Sequence, residues 1–266
     1  MSSAPRKSIV PIHPSERSLK ASFLTHCVDS GIVHKGWCLS SEYRIDGNSR
    51  RADLAALGDG RFVGIEFKSA RDTVKRLAGQ MDAYLRVFDQ VILVVAEKHI
   101  EQALRQTPLP VTIYVANQSG SLNLARNGET RIGGSLCNRT MAQNLTKAEI
   151  AEMTGIGDGR SSRSQLLTIA DEMPTEKVRL GMQAAFQKRY ENTSNMFWRR
   201  TTGKTIKIEH LDYLSRYAKR RKVWQKHKSK NDKFWMDWTK KAALHFQCSN
   251  QSSHSSSVSY FSSGSL

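Results

Sequence analysis

Residues 50–69 read RRADLAALGDGRFVGIEFKS and predict a β-hairpin. The turn is Gly58-Asp59-Gly60, a combination typical of the tight loops that join antiparallel strands. We therefore expect adjacent strands at Arg50–Leu57 and Phe62–Ser69.

The two strands carry charged residues at positions that share a face. Residues of one parity on a strand point the same way, so Glu66 and Lys68 project together while Ile65 and Phe67 point to the opposite side. Pairing of the strands places Asp53 beside Glu66. Two carboxylates and an ammonium make a poor core. They are well suited to hold a hard divalent cation and a water beside a phosphate.

The order Asp53…Glu66-x-Lys68 resembles the signature of the PD-(D/E)xK nuclease superfamily. A helix predicted after the lysine carries Gln80 and Tyr84 at positions i and i+4, which share a helix face. This Gln-x-x-x-Tyr pair is similar to that of the RecB-type branch of the superfamily.

The run from Arg51 to Val95 looks like the bacterial and phage group called sce7726 and, more distantly, like MmcB-like repair proteins. The resemblance covers residues 15–160. It departs from the superfamily pattern at Ala52, which stands where a proline precedes the aspartate. The resemblance implies an α/β fold with a restriction-endonuclease-like core. That core has the order αβββαβ, a mixed sheet flanked by helices and an active site on the second and third strands.

The resemblance also implies a bound Mg²⁺ or Mn²⁺. Asp53 and Glu66 are the expected ligands, because hard cations prefer carboxylate oxygens, and the backbone carbonyl of Phe67 is implied as a third. The metal lowers the pKa of a bound water and neutralises developing charge. Lys68 then holds or helps to deprotonate that water, and Gln80 orients the phosphate or the metal's water.

A further acid often comes from the first helix in this superfamily, and Glu16 is the candidate metal ligand here. Two alternatives stay open. Glu16 would also offset the dipole of a helix capped by Ser15, and Glu42 on the first strand competes for the same role.

Three residues near the predicted site are expected to contact nucleic acid: Ser69, Arg76 and Tyr84. Each has an ordinary structural alternative. Ser69 also suits a turn, Arg76 also suits an i,i+4 salt bridge with Asp72 on a helix, and Tyr84 also suits the core.

Positive charge is concentrated at the C-terminal end. The chain has a formal net charge of +17, and from Met196 onward 15 Lys and Arg stand against 4 Asp and Glu. Around Arg220, Arg221, Lys222 and Trp224, rings alternate with cations, so that rings can stack on bases while cations follow phosphates. A polyanionic partner explains this charge. The alternatives are an aromatic stripe packed on the protein body and a helix on a membrane surface.

Composition and periodicity divide the chain into five segments. They are a flexible N-terminus (1–14), a nuclease core (15–118), a loop-rich connection (119–145), a helical basic region (146–247) and a disordered Ser-rich tail (248–266). Helices are predicted at 15–29, Arg71–Phe88, His99–Gln106, Thr146–Met153, Ser161–Met173, Thr175–Asn192 and Leu211–Thr239. Further strands are predicted at Gly36–Ile45, Val91–Ala96 and Val111–Asn117, and a loop or small hairpin at Gln118–Gly134.

The sequence also argues against several classes of protein. It contains no apolar run of membrane-spanning length and no secretory signal. Its four cysteines are scattered without a metal-ligand spacing, so we interpret them as reduced thiols of a cytoplasmic protein.

We therefore expect a cytoplasmic, Mg²⁺-dependent nuclease that hydrolyses DNA, with RNA left open as a substrate and no membrane partner. A role in bacterial or phage repair, recombination or defence is implied by the resemblance alone. Many members of the superfamily pair to cut both strands, so a homodimer is also open. The alternative is a nucleic-acid-binding module on the same fold that does not cut.

Overall fold

The computed structural model describes residues 14–45, 47, 50–130, 136–157, 159–215 and 231–239. The chain divides into two compact units, Met1–Arg216 and Tyr217–Leu266. All elements that position the candidate site belong to the first unit.

A mixed sheet forms the centre of the first unit. Its strands are β1 (Cys38–Ile45), β2 (Arg50–Gly58), β3 (Arg61–Lys68), β4 (Gln90–Ala96), β5 (Thr112–Ala116) and β6 (Leu122–Arg126). The helices are α1 (Glu16–Asp29), α2 (Leu77–Leu85), α3 (Ile100–Gln106), α4 (Asn138–Gln143), α5 (Lys147–Thr154), α6 (Arg163–Glu172) and α7 (Thr175–Thr201). The predicted α/β class, a mixed sheet flanked by helices, is confirmed, and the elements from α1 to β4 follow the order αβββαβ.

The strands lie side by side in chain order from β1 to β6. The first three form an antiparallel meander, β4 and β5 continue parallel to β3, and β6 returns antiparallel to β5. The carboxyl ends of the parallel strands β3, β4 and β5 therefore lie on the same side of the sheet, where these strands end. Lys68 is the last residue of β3 and lies at this end.

Apolar layers cover both faces of the sheet. The sequence of β4, QVILVVA, is buried from Val91 to Val95, as is typical of a strand covered on both sides. One layer contains α2 to α6 and the first half of α7, and Phe62 and Phe186 meet within it. The other contains α1, where Phe23 packs against Phe67 of β3.

Helix α1 begins where the sequence predicts. The hydroxyl of Ser15 accepts a hydrogen bond from the backbone N–H of Ser18, which satisfies one of the free donors of the first turn. Leu19, Phe23 and Cys27 are buried at helical spacing. The same buried side of α1 also carries a lysine, which contributes to the site described below.

Helix α7 runs along the outer strand β1 and is longer than predicted. The N–H of Leu39 in β1 donates to Ser194 Oγ at 2.7 Å, so the helix satisfies a backbone group that the edge of a sheet would expose. The indole N–H of Trp198 donates to a backbone carbonyl at 2.7 Å. These contacts extend α7 to Thr201, beyond the predicted end at Asn192.

Helix α2 begins at Leu77, later than the predicted start at Arg71, and ends at Leu85. The backbone N–H and the hydroxyl of Ser69 both donate to Asp72 Oδ2, at 2.8 and 2.6 Å. An aspartate that bonds back to nearby backbone favours a turn over a helix. The predicted helical pairing of Asp72 with Arg76 is therefore wrong, because both residues precede the helix.

Two other elements differ from their predictions. Within the described residues, the segment Gln118–Gly134, predicted as a loop or small hairpin, contributes a single strand, β6, which pairs with β5 and does not form a hairpin of its own. Ile208–Leu214 forms a 3₁₀ helix, although an α-helix was predicted from Leu211 onward. No helix in the described ranges combines the length and apolar character needed to cross a membrane.

In the second unit, residues 231–239 form a helix. Its Phe234, Trp235, Met236 and Trp238 are each more than half exposed. The predicted nucleic-acid contacts Arg220, Arg221, Lys222 and Trp224 lie outside the described residues, as do the Ser-rich tail and residues 1–13.

Candidate active site

The site begins where the regular pairing of β1, β2 and β3 changes. The ladder between β2 and β3 starts at the pair Leu54 and Ile65. Just before it, Asp53 Oδ2 accepts a hydrogen bond from the backbone N–H of Phe67 at 2.8 Å. Its side chain thus takes the place of a strand carbonyl, which fixes the carboxylate against β3. Opposite it on β1, Glu42 has φ of 58°, a left-handed conformation that is uncommon for a residue with a side chain.

Glu66 of β3 lies next to Asp53, and only 3% of its surface is exposed. Lys68 Nζ donates to Glu66 Oε1 at 2.6 Å, and Gln80 Nε2 donates to the same oxygen at 3.1 Å. The hydroxyl of Tyr84 donates to Glu66 Oε2. The structure therefore brings together four residues that the sequence predicts, with the Gln-x-x-x-Tyr pair of α2 holding the carboxylate of β3.

A second group of carboxylates adjoins the first. Oxygens of Glu16 on α1, Glu42 on β1 and Asp53 on β2 all lie within 4.8 Å of one another. Glu16 and Glu42, which the sequence leaves as alternatives, are thus both present. The ammonium of Lys20 lies among the three, at 2.7 Å from Glu16, 3.2 Å from Glu42 and 3.6 Å from Asp53.

Lys20 is the residue of this cluster that no sequence motif singles out. It follows Glu16 by four residues on α1, and only 5% of its surface is exposed. A lysine next to Leu19 and one turn before Phe23, on the buried side of a helix, is a weak but readable signal, because a buried ammonium requires partners.

Burial and neighbouring charge alter the protonation of the site. Burial and the negative charge of Glu66 raise the pKa of Asp53 to about 8, although Lys20 acts in the opposite direction. Burial lowers the pKa of Lys20, but its three carboxylate neighbours outweigh that effect and the net pKa is raised. Burial and Glu66 also raise the pKa of Tyr84. Strongly shifted groups of this kind cluster at functional sites.

The remaining predicted residues lie nearby in different roles. Ser69 is buried, and its hydroxyl is bonded to Asp72, so the structure favours the turn role for it. Arg76 is exposed just before α2. Tyr84 is fully buried, which matches the core alternative, although its hydroxyl reaches Glu66. The ring of Phe67 belongs to the layer that contains α1.

The raised pKa of Asp53 gives a prediction about stability in EDTA. The folded protein favours the protonated carboxyl of Asp53. The stability that this preference permits is fully present below the pKa of Asp53 in the unfolded chain, about 4. It is lost as the pH rises through the pKa in the folded protein, about 8. Asp53→Asn keeps the acceptor for Phe67 but has no charge. We expect this variant to exceed the natural chain in stability at pH 9 by about 1 kcal/mol or more, roughly 2–4 °C in Tm, and to match it near pH 4.

Thermal unfolding from pH 4 to pH 9 measures the difference. Asp29→Asn is the matched control, because Asp29 is exposed at the end of α1. A constant offset between Asp53→Asn and the natural chain across this range would contradict the assignment.

Comparison with known proteins places this chain in a phage family. The family described as bacteriophage P4 protein cII matches residues 13–215. Protein cII of Enterobacteria phage P4 is 30% identical over 179 residues, which span 65% of this chain and 67% of that protein. Among solved structures, the SPO1766 protein of unknown function from Silicibacter pomeroyi aligns with 45% of this chain and 75% of its own, at 18% identity and a TM-score of 0.34. The match across residues 13–215 includes the whole of the sheet and the carboxylate cluster, and the chain belongs to the bacteriophage P4 protein cII family.

Proposed function

We propose that this chain is a divalent-cation-dependent nuclease that hydrolyses phosphodiester bonds of DNA. The observation that carries the proposal is the meeting of Asp53, Glu66 and Lys68 with Gln80 and Tyr84 of α2. A buried carboxylate held by three side-chain donors is costly to build for stability alone. Its position beside a second acid whose pKa is strongly raised favours a catalytic purpose.

The donors present fit a hard divalent cation. Glu16, Glu42 and Asp53 offer carboxylate oxygens close together, and oxygen is the ligand that Mg²⁺ and Mn²⁺ prefer. Asp53 belongs both to this carboxylate cluster and to the group around Glu66, because its carboxylate is hydrogen-bonded to β3 and lies near Glu66. When bound, the cation supplies a water of lowered pKa and neutralises charge on the phosphate.

The chain's own residues would orient the reactants around that position. Lys68 is held at the carboxyl end of β3 by Glu66, and its ammonium can donate to a phosphate oxygen or to the attacking water. Gln80 and Tyr84 of α2 each donate a hydrogen bond to the carboxylate of Glu66. These bonds would keep the carboxylate in one orientation relative to the reacting group. The hydrogen bond from Phe67 does the same for Asp53.

Charge supports a nucleic acid as the substrate. The formal net charge of +17 favours a polyanion, and Arg51, Arg71, Lys75 and Arg76 are exposed on the segments that lead into and out of the site. A function in repair, recombination or defence rests on the resemblance to the PD-(D/E)xK superfamily.

Incubation with a panel of nucleic acids tests the proposal. The purified chain is mixed with linear, circular, single-stranded and branched DNA and with RNA, each in Mg²⁺, Mn²⁺ or EDTA. We expect DNA cleavage that requires the metal. Binding without cleavage in every condition would favour the non-cleaving module instead, and cleavage of RNA alone would change the substrate class.

The basic second unit is expected to supply affinity for the substrate. Residues 217–266 contain 10 Lys and Arg against 2 Asp and Glu. Deleting them should weaken DNA binding and flatten its dependence on salt, because each phosphate contact contributes about −0.9 to the slope of log K against log[salt] for duplex DNA. Deleting only residues 249–266, which contain no Lys or Arg, is the matched control. Fluorescence anisotropy across a salt series measures both, and equal slopes for the two truncations would contradict this role.

A further inference from the structure

The ammonium of Lys20 occupies the centre of the carboxylate cluster. It contacts Glu16, Glu42 and Asp53 at 2.7, 3.2 and 3.6 Å, and its side chain is 6% exposed. The ammonium also lies 5.9 Å from the centre of the Phe67 ring, a further favourable contact for a cation. Lys20 is thus enclosed by groups that select for positive charge.

A divalent cation would need the same oxygens. Mg²⁺ binds oxygen at about 2.0–2.1 Å, and one oxygen from each of these carboxyl groups lies within 4.8 Å of the others. A metal bound by all three would need the position that the ammonium of Lys20 occupies. An ammonium left in contact with all three would stand a few ångströms from the metal, where like charges in a partly buried site repel strongly.

The identity of this residue suits an exchange. A lysine carries a compact charge on a flexible four-carbon chain, so its ammonium can withdraw without movement of the helix. While it is in place, its positive charge offsets the repulsion among the negative charges of the cluster.

We propose that Lys20 is the resident cation of this site, which holds the three carboxylates together in the absence of metal and is displaced when a divalent ion binds. Lys20 thereby sets the affinity of the site for the metal. The inference rests on the proposed metal-dependent function, and it adds a positioning residue that acts through the carboxylates. It requires no direct contact between Lys20 and the substrate.

Metal binding by variants gives the first test. Titration of Mn²⁺ into Lys20→Met, followed by calorimetry, should show a Kd lower than that of the natural chain by roughly tenfold or more, because the metal no longer competes with an ammonium. Arg17→Met is the charge control. It removes one positive charge from the same helix, but Arg17 pairs with Asp212 outside the cluster, so its Kd should stay within about twofold. Unchanged or weaker binding by Lys20→Met would overturn the proposal and make Lys20 an organiser of the ligands.

The natural chain gives a second test that does not depend on the folding of a variant. Lysine amines are labelled with acetic anhydride and quantified by mass spectrometry, in EDTA and in saturating Mg²⁺. Lys20 should be protected in EDTA and become at least several-fold more reactive in Mg²⁺, whereas the exposed Lys35 should react equally in both. Equal labelling of Lys20 in the two conditions would overturn the displacement.

The two tests separate failure of this inference from failure of the proposed function. If the natural chain cleaves DNA with Mg²⁺ but Lys20 labelling and Mn²⁺ affinity do not respond as described, the nuclease stands and the exchange is wrong. If neither the natural chain nor Lys20→Met binds Mn²⁺ and no cleavage occurs, the metal-dependent function itself is wrong.

Discussion

Replacing Asp53 by Asn, or Lys68 by Met, is expected to lower metal-dependent DNA cleavage by about 10³-fold. Asn at position 53 keeps the hydrogen bond from Phe67 but removes the negative charge that a cation requires. Met at position 68 has a similar shape but lacks the ammonium that, in the proposed mechanism, donates to the phosphate or the attacking water. Cleavage rates measured with enzyme in excess over a labelled duplex, in saturating Mg²⁺, separate this loss from changes in product release.

Two matched variants control for charge and folding. Asp59→Asn and Lys35→Met make the same chemical changes at exposed positions, one in the turn between β2 and β3 and one before β1. Both should keep the natural rate within about twofold. If Asp53→Asn and Lys68→Met also keep it, the residues at the junction of β2 and β3 are not the catalytic centre. A contaminating nuclease would give the same rate in all four variants and in a mock purification.

The core of the site could be predicted because its signals are local. Asp53, Glu66 and Lys68 lie on two strands joined by one tight turn, so their relative positions follow from strand parity and pairing. Gln80 and Tyr84 keep their common face wherever α2 begins. An error at the start of that helix therefore left their predicted contact with the site intact.

Other features depend on contacts between distant parts of the chain. Lys20 and Glu42 meet because α1 packs across the sheet and β1 adopts a left-handed turn of the backbone at Glu42, which no spacing of residues reveals. The last turns of α7 are stabilised by Leu39 of β1, which donates to Ser194, and by the carbonyl of Trp37 just before β1, which accepts from Trp198; each pair is more than 150 residues apart in sequence. The start of α2 depends on whether residues 69–72 form a turn or a first helical turn. The hydrogen bonds from Ser69 to Asp72 favour the turn.

Removal of the Arg179 side chain is expected to cause the largest loss of stability of any single change proposed for this chain. Asp89, just before β4, is 2% exposed, and Arg179 Nε donates to it at 2.7 Å from α7. The same carboxylate accepts from the backbone N–H of Phe62 at 2.7 Å and from Gln183 at 3.2 Å. Arg179→Met leaves Asp89 buried without its charged partner, a change that costs about 3–5 kcal/mol and lowers Tm by roughly 10 °C.

Urea and thermal unfolding measure this loss, and an exposed ion pair sets its scale. Arg105→Met breaks the pair of Arg105 and Glu101, whose side chains are 76% and 87% exposed, and should cost less than about 1 kcal/mol. The double variant Arg179→Met/Asp89→Leu should recover part of the loss, because no unpaired charge remains.

Asp89 lies at the amino end of β4, whereas Lys68 lies at the carboxyl end of the parallel strand β3. Cleavage assayed well below the Tm should therefore be retained in Arg179→Met. A stability loss no larger than that of Arg105→Met would show that the buried pair does not anchor α7 to the sheet.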